Sequence, residues 1–169
     1  MTHPTTRRAL LIGGAALAAC TGGTKREETE MSQTAEGATD WSALTNDQWR
    51  ERLTEEEYHV LRKEGTERAG TSPLNQEKRA GTFVCAGCAL PLFSSQAKYE
   101  SGTGWPSFFE PLPDAVETKT DFKLIYPRKE YHCSRCGGHQ GHVFNDGPEP
   151  TGLRYCNNGV ALDFVPGDA

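Results

Sequence analysis

Two short runs, Cys85-Ala-Gly-Cys88 and Cys133-Ser-Arg-Cys136, restrict what this chain can fold into more than any other feature. Each C-x-x-C presents two thiolates from a tight turn, and two such turns brought together give the tetrahedral sulfur set that Zn²⁺ prefers. The signal is strong for the pair and weak for either run alone. Residues 89–132 lie between the two, more than the usual ribbon spacing, so the knuckles belong to separate hairpins whose ends meet in the fold. Structural zinc contributes about 10 to 16 kcal/mol in small peptides, against about 5 to 15 kcal/mol for the stability of a whole domain. Losing one ligand is therefore expected to cripple the fold.

Other uses of these cysteines fit less well. A redox C-x-x-C of the thioredoxin kind needs a βαβ setting that neither stretch offers. Two disulfides are compatible with an exported protein. His139 and His142 could replace two of the cysteines, but the run from Cys133 to His142 is too compressed for a single finger. The expectation is one structural Zn²⁺ per chain, held by Cys85, Cys88, Cys133 and Cys136.

The beginning of the chain reads as a targeting segment. A basic leader ending at Arg8 is followed by an apolar run from Ala9 to Ala19. As a helix that run spans about 16 Å, well short of the roughly 30 Å hydrocarbon core. Leu17-Ala18-Ala19-Cys20 resembles the lipobox of bacterial lipoproteins, and Thr6-Arg7-Arg8-Ala9-Leu10-Leu11 resembles a twin-arginine export signal. The expected organisation is a signal peptide over 1–19, a lipidated Cys20 opening a solvated tether over 20–40, and a folded domain over 41–169. Such a chain is an extracytoplasmic, membrane-anchored lipoprotein of the periplasm or cell envelope.

The domain is expected to be single and monomeric, since 169 residues with 36% apolar content allow little more. A net charge of −5 and a pI near 5.6 argue against a surface that tracks phosphates, so no nucleic-acid partner is expected. Two helix starts carry capping-box patterns, Thr45 with Gln48 and Thr54 with Glu57. Trp49 and Leu53, then Tyr58 and Leu61, give each helix a core-covering face, and Gly65 is a natural stop. Beyond Thr71 the chain reads as short strands: Thr82–Cys85, Phe122–Tyr126, Glu130–Cys133, His142–Asn145 and Val160–Phe164. The fold class is mainly β, a small antiparallel domain behind one or two helices.

With four cysteines on zinc and Cys20 lipidated, Cys156 is the remaining thiol. A lone cysteine is often a small buried hydrophobe, but its neighbours suggest chemistry. On a strand, Arg154 and Asn158 share a face with Cys156. A nearby guanidinium favours the thiolate, of which only about 3% forms at pH 7 without help. His139 and His142 supply candidate acids.

Gly-Thr-Gly-Trp-Pro-Ser-Phe at 102–108, His-Cys-Ser-Arg-Cys-Gly-Gly-His at 132–139, Gly-His-Val-Phe-Asn-Asp-Gly-Pro at 141–148 and Pro-Thr-Gly-Leu-Arg-Tyr-Cys-Asn-Asn at 150–158 together resemble the B-type methionine sulfoxide reductases, peptide-methionine (R)-S-oxide reductases. That resemblance implies two antiparallel sheets with a zinc site opposite the active site. It implies Cys156 as nucleophile and His142 as proton donor, with His139 beside it and Asn158 polarising the site. Trp105, Arg154 and Asp146 complete the substrate-binding set, Trp105 as a wall for the substrate methyl and Asp146 orienting a histidine. Oxidised proteins are the implied substrate.

One departure matters. Many members carry a resolving cysteine between the glycines of Gly-x-Gly-Trp, where this chain has Thr103. A one-cysteine cycle is therefore expected, with Cys156 regenerated by a thioredoxin-like or other external thiol. Gln140 and Asn157 also replace positions commonly aliphatic in that family. The competing expectation is a zinc-ribbon binding module without catalysis.

Overall fold

Residues 39–123 and 126–167 are described by the computed structural model; the expected signal peptide, Cys20 and most of the tether lie outside them. Thr45 and Thr54 start helices α1 (Asn46–Arg52) and α2 (Glu55–Lys63) through complete capping boxes. Thr45 Oγ1 accepts the Gln48 N–H while Gln48 Oε1 accepts that of Thr45, and Thr54 and Glu57 repeat the exchange. Two orphan N–H groups per helix are thereby satisfied. The chain leaves α2 at Glu64, in the left-handed region at φ 54°. Gly65 follows because a Cβ there would collide with the His59 ring.

Among the described residues nine strands follow, every pair antiparallel. They are β1 (Gly81–Cys85), β2 (Pro91–Ser94), β3 (Lys98–Tyr99), β4 (Ser107–Phe108), β5 (Val116–Asp121), β6 (Arg128–Cys133), β7 (His139–Phe144), β8 (Arg154–Asn157) and β9 (Leu162–Pro166). A three-stranded sheet runs β2-β1-β9 and a six-stranded sheet runs β3-β4-β8-β7-β6-β5. The mainly-β, two-sheet expectation holds.

Aromatic side chains fill the space between the sheets. Phe83 and Phe93 of the small sheet meet Phe108 and Tyr131 of the large one, all four fully buried. Phe93 stacks on Phe108 with centroids 4.2 Å apart, and Phe83 meets Phe108 edge-on at 5.0 Å. Fully burying a phenylalanine is worth about 1.5–3 kcal/mol, so this cluster is a principal bond between the layers. The helices cover the knuckles: Leu61 lies against the backbone of Gly87 and Gly138, and Trp49 against Gly87.

One expected strand is misplaced. In its described residues, 122, 123 and 126, Phe122–Tyr126 is not a strand; β5 ends at Asp121, which pairs with Arg128 at the start of β6. Phe122 and Tyr126 are 77% and 81% exposed, so neither of these two side chains has a core to face. The Val160–Phe164 expectation shifts as well: Gly159–Ala161 is a 3₁₀ turn and β9 begins at Leu162.

Candidate active site and metal centre

The knuckles share one backbone solution. Cys85 accepts the Ala89 N–H, and Cys133 accepts that of Gly137, each from a residue at positive φ, 57° and 67°. Both turns therefore aim their thiols the same way. Cys85 ends β1 and Cys133 ends β6, so the cluster joins the two sheets. All four sulfurs are buried and lie within 4.8 Å of one another. Sγ of Cys85 is 3.7 Å from that of Cys136, and Cys88 is 3.5 Å from Cys133. Four sulfurs at the Zn–S distance of about 2.3 Å would stand about 3.8 Å apart, whereas a disulfide needs about 2.0 Å. The donor set fits a metal ion and is not disulfide-bonded.

The six-stranded sheet places Cys156, His142 and Arg154 on one face. Cys156 on β8 pairs directly with His142 on β7 and with Ser107 on β4; His142 in turn pairs with Glu130 on β6. Directly opposed residues in antiparallel strands point the same way. One step along the same face, Arg154 is opposed to Phe144. A cavity of about 110 Å³ opens here, lined by Thr66, Trp105, Arg128, His142, Phe144 and Cys156 among others. Gly141 lets β7 come this close, since a Cβ there would collide with the carbonyl oxygen of Cys156.

His139 reaches the same face through an irregularity. Tyr131 opposes Gly141 while His132 opposes His139, so Gln140 is an extra residue in β7. Residues three apart on a regular strand point to opposite faces; the bulge cancels that alternation. The two imidazoles meet edge to face, 5.5 Å between centroids. His139 is nonetheless deeply buried behind the cavity, its Nδ1 2.7 Å from Glu130 Oε1 and its Nε2 without a partner.

The expected partners of several residues are exchanged. Asp146 does not orient a histidine: both its oxygens bind Arg154, at 2.8 Å from Nε and 2.8 Å from Nη2. The carboxylates on the histidines are Asp121, 2.8 Å from His142 Nε2, and Glu130. Asp146 sits in the turn after β7, within reach of the neighbouring strand's Arg154 and not of the rings. Asn158 also differs from expectation. β8 ends one residue before it, and its amide is spent on backbone, donating to Gln140 O at 2.9 Å and accepting from Glu67 N at 3.0 Å. It pins the bulge instead of extending the Cys156 face as a free donor.

Charges around the thiol pull in opposite directions. Burial pushes the Cys156 thiol up, and the Arg154 charge with hydrogen bonding from Thr103 and Arg154 pulls it part of the way back. The expected help from Arg154 is present, but burial wins. Burial likewise lowers His142, against the attraction of Asp121. Glu130 is held down to about 2: burial alone would raise it, but hydrogen bonds from His132 and His139 outweigh burial.

Gln140 and Asn157 form a buried polar thread. Gln140 Nε2 lies 3.4 Å from Cys85 Sγ, Gln140 Oε1 accepts from Asn157 Nδ2 at 3.2 Å, and Tyr131 Oη donates to Asn157 Oδ1 at 2.6 Å. Trp105 is held from outside, its indole N–H donating to Glu67 O at 3.2 Å. The carboxylate of Glu67 also takes the N–H groups of Gly159 and Val160.

A family model described as the SelR domain matches residues 53–166. The chain belongs to the SelR-domain family. The match takes in α2, all nine strands, both knuckles and Cys156. Relatives named "Peptide methionine sulfoxide reductase MsrB" are 53% identical in Leptospira interrogans over 121 residues, 71% of this chain and 92% of the relative. The protein of that name in Pseudomonas putida is 53% identical over 127 residues, 73% and 94% of the two chains. That of Thiobacillus denitrificans is 53% identical over 125 residues, 73% and 95%.

Asp121, Arg128, Glu130 and Glu67 were not singled out from the sequence of this SelR-domain chain. A signal existed for two of them: Arg128, Glu130 and His132 alternate along β6 and so share one face. Asp121 ends a strand that was not among those expected, and Glu67 lies in irregular chain, so neither carried a pattern.

Proposed function

We propose that this chain reduces the R epimer of methionine sulfoxide in proteins to methionine, with Cys156 as nucleophile and an external thiol as reductant. The observation that carries the reading is the direct pairing of Cys156 with His142 across β7 and β8, at a cavity lined by Trp105. The SelR-domain match and the methionine sulfoxide reductases related to it support the same chemistry. A purely structural zinc module leaves that pairing without a use.

The Cys156 sulfur attacks the sulfoxide sulfur while His142 protonates the oxygen. Oxygen passes from the substrate sulfur, which gains two electrons, to Cys156, which loses them; methionine leaves and a sulfenic acid remains. Trp105 offers an apolar wall for the substrate methyl, so that one epimer directs its oxygen at the proton donor. Thr103 stands beside the sulfur but has no thiol to offer. An external thiol therefore condenses with the sulfenic acid, releasing water, and a second thiol frees Cys156 as a disulfide departs. A thioredoxin-like protein is the proposed donor.

The ion proposed for the four cysteines is Zn²⁺, one per chain, as a structural clamp. The proposed setting remains that of a monomeric lipoprotein, exported through its twin-arginine leader and anchored at Cys20, acting on oxidised envelope proteins. That part rests on the leader sequence alone.

Purified protein is incubated with the R and S sulfoxides of a blocked methionine and dithiothreitol. Turnover of the R form that vanishes in Cys156→Ser is expected; no turnover of either epimer by metal-replete protein rejects the activity. Mass spectrometry of substrate-oxidised protein is expected to show a sulfenic acid or a mixed disulfide at Cys156. A disulfide from Cys156 to Cys85 or Cys88 formed during turnover rejects the one-cysteine cycle.

A further inference from the structure

Asp121 closes β5, two strands beyond His142 on the side away from Cys156, and its side chain is 8% exposed. Oδ2 lies 2.8 Å from His142 Nε2 and 2.7 Å from Arg128 Nη2, while Oδ1 accepts the Lys123 N–H at 2.8 Å. The Lys123 N–H foremost, then His142 and Arg128, hold this carboxyl well below the ordinary carboxylate range against the effect of burial. An ionised carboxylate has acceptors only, so Nε2 of His142 carries the hydrogen. Nδ1 has no partner among the described residues, on a ring that lines the cavity shared with Cys156.

We propose that Asp121 is a positioning residue for sulfoxide reduction, fixing His142 as the Nε2–H tautomer so that Nδ1 is the atom that carries the proton to the substrate oxygen. The inference rests on His142 as proton donor. Which imidazole nitrogen is available is set by the hydrogen bond the other makes. The cycle balances in protons. Neutral His142 takes one at Nδ1 from solvent, gives it to the oxygen leaving the substrate sulfur, and returns to the Nε2–H form still bound to Asp121. Arg128 has a second part. By sharing Oδ2 it keeps the carboxylate ionised and in place, so the Nε2 hydrogen stays on the ring instead of moving to Asp121.

The geometry also explains why the site needs a carboxylate that sequence motifs around Cys156 do not contain. Glu130 is paired with His142 in register, yet its two oxygens go to His139 and His132. Asp146 goes to Arg154. Among the described carboxylates, Asp121 alone hydrogen-bonds to His142.

The test combines ¹⁵N NMR of histidine-labelled protein, with His142 assigned by a His142→Gln control, and kinetics of the R sulfoxide. Wild-type protein in its neutral form is expected to show a protonated Nε2 and a bare Nδ1. In Asp121→Asn the tautomers are expected to mix and kcat to fall about 10- to 100-fold, up to the bottom of a general acid's whole contribution of about 100- to 10,000-fold, with KM within about twofold. Asp121→Glu, which keeps the charge, is expected to recover part of kcat and the Nε2–H signal. A wild-type ring carrying its hydrogen at Nδ1 overturns the proposal whatever the variants do. So does a folded Asp121→Asn protein with wild-type kcat, and in that case the reductase activity itself stands. If wild-type protein reduces neither epimer, the activity fails and this assignment fails with it.

Discussion

Arg154 and Asp146 form a two-pronged ion pair, Nε to Oδ1 and Nη2 to Oδ2, both at 2.8 Å, with Arg154 two residues along the strand from Cys156 and on the same face. The same guanidinium lies over the Phe144 ring, 4.4 Å from its centroid. A planar fork held on one side by a carboxylate and below by an aromatic face has little freedom to leave the thiol. In Arg154→Ala the charge and hydrogen bond that restrain the thiol are lost, so the Cys156 pKa moves further up. Iodoacetamide alkylation of Cys156 at pH 7.5 is expected to slow several-fold, with the midpoint of its pH profile shifted to higher pH. An unchanged or lowered midpoint would refute this account of the charge.

Glu130 makes stability depend on acid. Its folded value of about 2 lies below its ordinary value of 4.5, so its contribution is complete above the ordinary value and is lost as pH falls toward 2. The difference corresponds to about 3 kcal/mol. Glu130→Gln is expected to cost a similar amount at pH 7 by urea denaturation and to flatten the stability profile between about pH 4.5 and 2. A variant that keeps the wild-type acid profile would show that other carboxylates carry it.

The four-cysteine centre joins β1 to β6 and supports Trp49 and Leu61 of the helices. Metal analysis is expected to return one zinc per chain. Chelation, or Cys133→Ser, is expected to remove most of the domain's stability, since a structural zinc contributes about 10 kcal/mol or more. Circular dichroism and thermal melts read this directly. A metal-free protein melting within a few degrees of the loaded one would reduce the cluster to a bystander.

Gly141 is expected to tolerate no side chain. Gly141→Ala drives a methyl group into the Cys156 carbonyl, and forced overpacking costs about 1–3 kcal/mol. Because the displaced strand carries the nucleophile, turnover should fall by more than the loss of folded protein explains. Equal losses in folded fraction and in rate would place the effect in stability alone.

The sequence made the local devices legible. Thr45 and Thr54 cap their helices as their spacing to Gln48 and Glu57 implies, because a capping box is completed within four residues. The knuckles were legible for the same reason, two ligands and their turn lying in each short run. Legibility failed where a residue's meaning depends on a distant one. Phe122–Tyr126 has strand-like composition, yet the strands end and begin on either side of it, at Asp121 and Arg128, which pair with each other. Asp146 was expected to orient a histidine only because the resemblance implied it; Arg154, across the turn, holds it instead. Gln140 and Asn157 read as departures from a family pattern, and only the fold shows them bonded to each other and to Tyr131.

The bulge at Gln140 has a consequence for how this sequence can vary. Strand β7 behaves as two segments out of phase, beating in steps of two on either side of a one-residue slip. The imidazoles of His139 and His142 share a face only across that slip. A deletion at 140 would leave the two histidines two positions apart and still on one face, but would remove the Gln140 contacts to Cys85, Asn157 and Asn158; a regular strand that kept all its residues would instead send one of the two rings into the aromatic interior. For this protein the slip between the two histidines is as much a part of the chemistry as the histidines themselves.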